Sequence, residues 1–196
     1  TQSGLRQVQV NPRIGWTFAA AMRTFLRADP DVIMIGEMRD EETSRIAIEA
    51  SLTGHLVLST LHTNSAPESI ARLLEIGLDP FNFSDSLLAI LAQRLVRRLC
   101  KACREPVVAD DETLLDMAWQ YLPSGSGNSP EGRAALVQRW RKNYGTASGE
   151  LQLWRRVGCQ ECEGHGYRGR MGIHELMLSD EAIRQHIRRR ASAAEI

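Results

Sequence analysis

Four cysteines stand as two C-x2-C pairs, Cys100 with Cys103 and Cys159 with Cys162. Each pair sets two thiols on one side of an ion, and two pairs close the tetrahedral cage that Zn2+ prefers in structural sites. A secreted chain would instead use them as two disulfides. The opening residues Thr1-Gln2-Ser3-Gly4 carry neither a basic nor an apolar export segment, so ligation in a reducing compartment is the better reading. With cysteine at all four positions the cage is closed, which makes the metal structural and not catalytic. His165 and His174 lie nearby in sequence as substitute donors. The stretch between the pairs, 104–158, is longer than the usual zinc-ribbon spacing.

A second chemistry depends on strand ends. Val32-Ile33-Met34-Ile35 is a short apolar run closed by Gly36, as a buried parallel strand reads, and residues 56–61 form another. In parallel α/β sheets ligands sit beyond the carboxyl ends of the strands, where Glu37 and His62 fall. A carboxylate there can orient or deprotonate a water, and an imidazole on the next strand can stabilise charge forming on a phosphate. Each residue alone is as readily a solvated side chain.

The elements that must hold these groups alternate through residues 5–99. Residues 5–10 alternate apolar and polar, as a half-buried strand does, until Asn11-Pro12. Phe18, Met22, Phe25 and Leu26 share one helical face, and Asp29-Pro30 stops that helix. Asp40-Glu41-Glu42 opens a helix striped by Ile46, Ala47 and Ala50 and ended at Gly54. Ser65-Ala66-Pro67-Glu68 combines a capping box with an early proline and opens a helix running to Gly77. A further helix is expected over 81–99. This alternation argues an α/β parallel sheet with helices outside.

Beyond Cys100, helices are expected over 111–121 and 131–144, separated by a Pro-, Gly- and Ser-rich turn segment at 123–130. Trp119, Trp140, Trp154 and Leu136 are expected to pack within them. A short strand near 151–157 leads to the second cysteine pair, and the glycines of 167–176 suit a tight hairpin. Ser179-Asp180-Glu181 opens a last helix, whose arginine run 188–190 most simply solvates the helix end and complements its dipole, the alternative being a contact with a partner's acidic face or anionic lipid.

Composition bounds the rest. Hydrophobic residues at 43% and charged residues at 24% of 196 sit at globular averages, and 24 basic against 24 acidic residues leave no whole-chain electrostatic case for nucleic acid or anionic membrane. The longest charge-free run, 50–67, is full of Ser, Thr, His, Asn and Gly, so no transmembrane helix is expected.

The wording around Glu37 and His62 is more specific than either residue. Arg27-Ala28-Asp29-Pro30-Asp31-Val32-Ile33-Met34-Ile35-Gly36-Glu37-Met38-Arg39-Asp40 and Thr53-Gly54-His55-Leu56-Val57-Leu58-Ser59-Thr60-Leu61-His62-Thr63-Asn64 resemble two signature stretches of the secretion ATPases, the hexameric ATPases of type II secretion and type IV pilus assembly. The first is similar to their Walker B region, in which the metal-holding Asp is replaced by glycine, here Gly36, and the following Glu, here Glu37, is catalytic. The second is similar to their histidine box. The resemblance implies that Glu37 polarises the attacking water, that His62 lies near the γ-phosphate, and that His55 and Arg39 support the site. His55 is otherwise a histidine packed at a strand start, and Arg39 otherwise a surface partner of Asp40 or Glu42. Tyr167-Arg168-Gly169-Arg170-Met171-Gly172-Ile173-His174-Glu175-Leu176 also matches the segment after the cysteines in that family, whose tetracysteine branch excludes the retraction ATPases.

The family's phosphate-binding loop, G-x4-G-K-[S/T], does not occur in these residues: the two lysines, Lys101 and Lys142, precede Ala102 and Asn143. The chain therefore resembles the C-terminal half of such an enzyme. The expected organisation is part of a RecA-like ATPase core at 1–99, a tetracysteine zinc module with a helical insertion at 100–175, and a C-terminal helical segment at 176–196. The resemblance further implies ATP and Mg2+ in the full-length protein and a homohexamer. It implies partners among the inner-membrane platform and cytoplasmic-domain proteins of the machine, no direct nucleic acid, and a cytoplasmic location at the inner membrane face. The competing reading is a non-catalytic, zinc-stabilised adaptor.

Overall fold

The computed structural model describes residues 3–122 and 126–196, so part of the expected turn segment at 123–130 lies outside the described residues. The elements run α1 (Phe18–Phe25), β1 (Val32–Ile35), α2 (Glu41–Leu52), β2 (Leu56–Ser59), α3 (Ala66–Ile76), α4 (Pro80–Ser86), β3 (Ala89–Leu99), β4 (Glu105–Val108), α5 (Asp111–Tyr121), α6 (Pro130–Tyr144), β5 (Gln152–Arg155), β6 (Tyr167–Leu178) and α7 (Glu181–Arg188). The chain divides into two units, Thr1–Arg94 with Gly172–Ile196, and Leu95–Met171.

In the first unit β1, α2 and β2 form a βαβ motif. The two strands are parallel, in register from Val32 with Leu56 to Ile35 with Ser59. Asp40 caps α2 by accepting the backbone N–H of Thr43 at 2.8 Å, satisfying one of the donors that a helix start leaves free. Ile33 and Ile35 bury one sheet face against Ala19 and Met22 of α1 and Ile46, Ala47 and Ala50 of α2. The other face, Val32, Met34, Leu56 and Leu58, is exposed, so the strands are covered on one side and not on both as their apolar runs suggested. A second core gathers Ile70, Leu73, Leu74, Leu78 and Phe83 with Ile187 of α7. Gly77, at φ +113°, ends α3 in the left-handed region open to glycine.

Several expectations are corrected here. Residues 5–10 form no strand, because their alternating apolar side chains are not buried against a core: Leu5 and Val8 are exposed. The expected helix over 81–99 ends at Ser86 as α4, and β3 follows, paired with β6. Ala, Leu, Gln and Arg favour helix, but strand pairing with a distant segment overrides that preference. Residues 167–178 make one continuous strand and not a hairpin, with Gly169 at φ +76° inside it. Arg188 does more than solvate a helix end: it donates to Ser84 Oγ at 3.0 Å and pairs with Asp85 at 2.8 Å, clasping α7 to α4.

The second unit builds its core from Ala109, Leu114, Ala118, Leu136, Val137 and Leu151, between α5, α6 and the antiparallel pair β4 and β5. The helices start where Asp110 and Ser129 accept the N–H groups of Thr113 and Gly132. Trp140 packs on this core and meets the edge of Tyr121 at 5.6 Å between ring centroids. Trp119, expected inside, is exposed. Trp154 belongs to β5, beneath the Arg104 guanidinium at 4.2 Å. The α/β architecture with a parallel strand pair, flanking helices, clustered cysteines and a C-terminal helix is thus as expected. Among the described residues no helix is long and apolar enough to cross a membrane.

Candidate functional site

Because β1 and β2 are adjacent and parallel, their carboxyl ends emerge side by side, and two bonds carry that alignment past the ladder. Thr60 Oγ1 donates to the Gly36 carbonyl at 2.5 Å, and the Met38 N–H donates to the Thr60 carbonyl at 3.2 Å. The loops bearing Glu37 and His62 are thereby locked together. His62 Nε2 lies 3.3 Å from Glu37 Oε2, and Arg39 Nε donates to the same oxygen. Glu37 is the sheltered member, its side chain 21% exposed against 80% for His62. A carboxylate held between an imidazole and a guanidinium can accept a proton from a water while the imidazole and the guanidinium face an anion.

Gly36 completes the turn. A Cβ there would come within 3.2 Å of Phe18 Cζ, so any larger residue presses on α1. Arg39 pairs with Glu37 and not with Asp40 or Glu42: Asp40 is occupied by both the N–H and the hydroxyl of Thr43, and Glu42 by Arg23. His55 does not join the group. It sits at the opposite end of β2, with Nδ1 at 2.9 Å from the Ala50 carbonyl at the end of α2. Thr60 was not singled out from sequence. The signal for it is the strand register, since the residue just past Ser59 faces the one just past Ile35.

In the second unit the thiols of Cys100, Cys103, Cys159 and Cys162 all lie within 4.8 Å of one another. Neighbouring sulphurs are separated by 3.9 Å (Cys100 to Cys159), 3.8 Å (Cys103 to Cys162) and 3.8 Å (Cys159 to Cys162). Four sulphurs about 2.3 Å from a tetrahedral zinc ion must stand about 3.8 Å apart, so the set fits that ion. Backbone N–H groups of Gly158, Cys159 and Gly166 point at the sulphurs of Cys103, Cys162 and Cys162 respectively, at 3.2 to 3.3 Å. Burial pushes the Cys103 thiol up to about 11. At Cys162 burial acts in the same sense, but the N–H groups of Cys159 and Gly166 outweigh it and bring the thiol down to about 7. Gly158 is required by the turn: at φ +123°, an added Cβ would lie 2.6 Å from the Gly164 carbonyl oxygen.

A family model described as type II/IV secretion system protein matches residues 1–196. The chain belongs to the type II/IV secretion system protein family. Among relatives in this family, it is 46% identical over 196 residues to the type IV pilus assembly ATPase PilB of Thermus thermophilus, covering 98% of this chain and 19% of PilB. It is 47% identical over 184 residues to type II secretion system protein E of Aeromonas hydrophila, covering 94% of this chain and 32% of that protein. The chain thus spans a third or less of these secretion-family relatives. Its fold is similar to that of the pilus retraction motor PilT, solved with bound ADP, at a TM-score of 0.50 and 28% identity over 88% of this chain and 33% of PilT.

Proposed function

We propose that this chain is the part of a hexameric motor ATPase that supplies the water-activating side of the nucleotide site, and that the full-length protein hydrolyses ATP with Mg2+ to power type II secretion or type IV pilus assembly. The observation that carries the reading is the meeting of Glu37 and His62, from the ends of two adjacent parallel strands, at 3.3 Å. In this reading Glu37 takes the proton of the attacking water, and His62 stabilises charge on the γ-phosphate. Arg39 holds the Glu37 carboxylate in place, Gly36 keeps the turn close to α1, and His55 ties the start of β2 to α2. The names of the pilus assembly and type II secretion relatives support the same activity.

Residues 1–99 then act as part of a RecA-like core and 176–196 as its C-terminal helical segment. The module 100–175 is stabilised by one Zn2+ held by Cys100, Cys103, Cys159 and Cys162. The ion supplies a cross-link between the two knuckles and no chemistry at the phosphate. The ring works at the cytoplasmic face of the inner membrane, against platform and cytoplasmic-domain proteins of the machine, without contacting nucleic acid.

The test uses the full-length protein. Glu37→Gln should abolish ATP turnover and leave equilibrium ATP binding unchanged, while the 196-residue chain alone, without a phosphate-binding lysine loop, should show no turnover. Undiminished hydrolysis by full-length Glu37→Gln would leave the chain as a zinc-stabilised adaptor.

A further inference from the structure

His62 stands on the connection between β2 and α3 with its side chain 80% exposed, so packing of the ring does not fix its position. Its backbone surroundings are fixed instead. Asn64 donates its N–H to Glu68 Oε2 at 2.9 Å, Thr63 Oγ1 meets Ser69 Oγ at 2.6 Å, and Ser65 Oγ accepts the N–H of Glu68. Those bonds tie the connection to α3 alone. Two further bonds reach it from the paired strands β3 and β6. Arg94 Nε on β3 donates to the Asn64 carbonyl at 3.0 Å, and Glu175 Oε2 on β6 accepts the Ala66 N–H at 3.3 Å.

The Ala66 N–H is one of the donors that a helix start leaves free, and the Asn64 carbonyl belongs to irregular chain, so both need outside partners. Among the described residues no ion pair involves Arg94 or Glu175, so both charged groups are directed at backbone, where charge-assisted bonds are the stronger kind. We infer that Arg94 and Glu175 are positioning residues for His62, a two-sided clamp that holds the histidine connection at the distance from β1 at which the imidazole reaches the Glu37 carboxylate. The inference rests on the proposed hydrolytic role of Glu37 and His62.

The full-length enzyme tests it. Arg94→Ala and Glu175→Ala should each lower kcat for ATP hydrolysis about tenfold, with KM for ATP within about twofold, because misplacing a catalytic group costs rate more than ground-state binding. Glu175→Gln keeps a side-chain carbonyl that accepts the Ala66 N–H and should restore most of the rate. In a His62→Ala background, read by single-turnover rates, either alanine change should cost less than about twofold, because the group being positioned is gone. The clamp is overturned by unchanged kcat in both alanine variants, by Glu175→Gln as slow as Glu175→Ala, or by full additivity with His62→Ala. If Glu37→Gln itself hydrolyses ATP normally, the hydrolytic reading fails, whatever the clamp variants do.

Discussion

Replacing Cys159 by serine removes one corner of the four-sulphur cage, and its cost can be worked from the geometry. The sulphur separations of 3.8 and 3.9 Å match the edge of about 3.8 Å that a zinc–sulphur length of about 2.3 Å demands. A serine oxygen neither ionises at neutral pH nor reaches as far as sulphur, so the variant should lose the ion. Structural zinc binds with an apparent free energy of about 10–16 kcal/mol near neutral pH. With free zinc a thousandfold above its Kd, the linkage contribution to folding is about 4.1 kcal/mol, and in a chain of about this length each kcal/mol moves the Tm by about 2–4 °C. The Tm of the variant should therefore fall by about 8–16 °C, to the value of chelator-treated wild type, with no further fall when chelator is added. Elemental analysis of protein purified under reducing conditions should give about one zinc per wild-type chain and none for the variant. Metal-free wild type, or a variant that keeps its metal, would refute the cage.

Three other outcomes are expected. Gly158→Ala forces a side chain into φ +123° and against the Gly164 carbonyl at 2.6 Å, so it should cost about 1–3 kcal/mol and speed zinc loss to a chelator followed with a metal indicator. Ile187→Ala empties a fully buried position in the second core and should lower unfolding free energy by about 2–5 kcal/mol in urea titration. The Arg188 hydrogen bond holds the Asp85 carboxyl below the usual carboxylate range, so its contribution is present above that range and lost as pH falls through the lowered value. Wild type should accordingly exceed Asp85→Asn in urea midpoint at about pH 7 and lose that margin as the pH falls through the lowered Asp85 value.

The elements legible in the sequence are those whose ends are signalled locally. Asp40 and Ser65 each accept an N–H three residues on, and Gly77 closes α3, so α2 and α3 could be placed from their end signals; the caps of α5 and α6, Asp110 and Ser129, were not read from the sequence. Elements that depend on a distant partner could not. Residues 89–99 have a helix-forming composition and become a strand because β6 pairs with them, while 5–10 alternate like a strand and form none among the described residues. Gly169 looked like a turn residue but takes its left-handed φ within a continuous strand.

The site follows the same division. Glu37 and His62 were legible because parallel strands present their carboxyl ends together, a rule of topology that needs no coordinates. The partner of Arg39 was not, since it depends on Asp40 being spent as a helix cap. Thr60, Arg94 and Glu175 required the strand registers and the path of the chain after His62. The role of Arg188 required the packing of α7 on α4.

The central claim is that one carboxylate and one imidazole, delivered by neighbouring strands, act on the same phosphate. The most direct measurement is chemical-quench, single-turnover hydrolysis of ATP bound to full-length protein, comparing wild type with Glu37→Gln. The account predicts that the bound nucleotide stays ATP, with the cleavage rate down by about 10²–10⁴ and the Kd for ATP unchanged. A cleavage rate within about tenfold of wild type would contradict it.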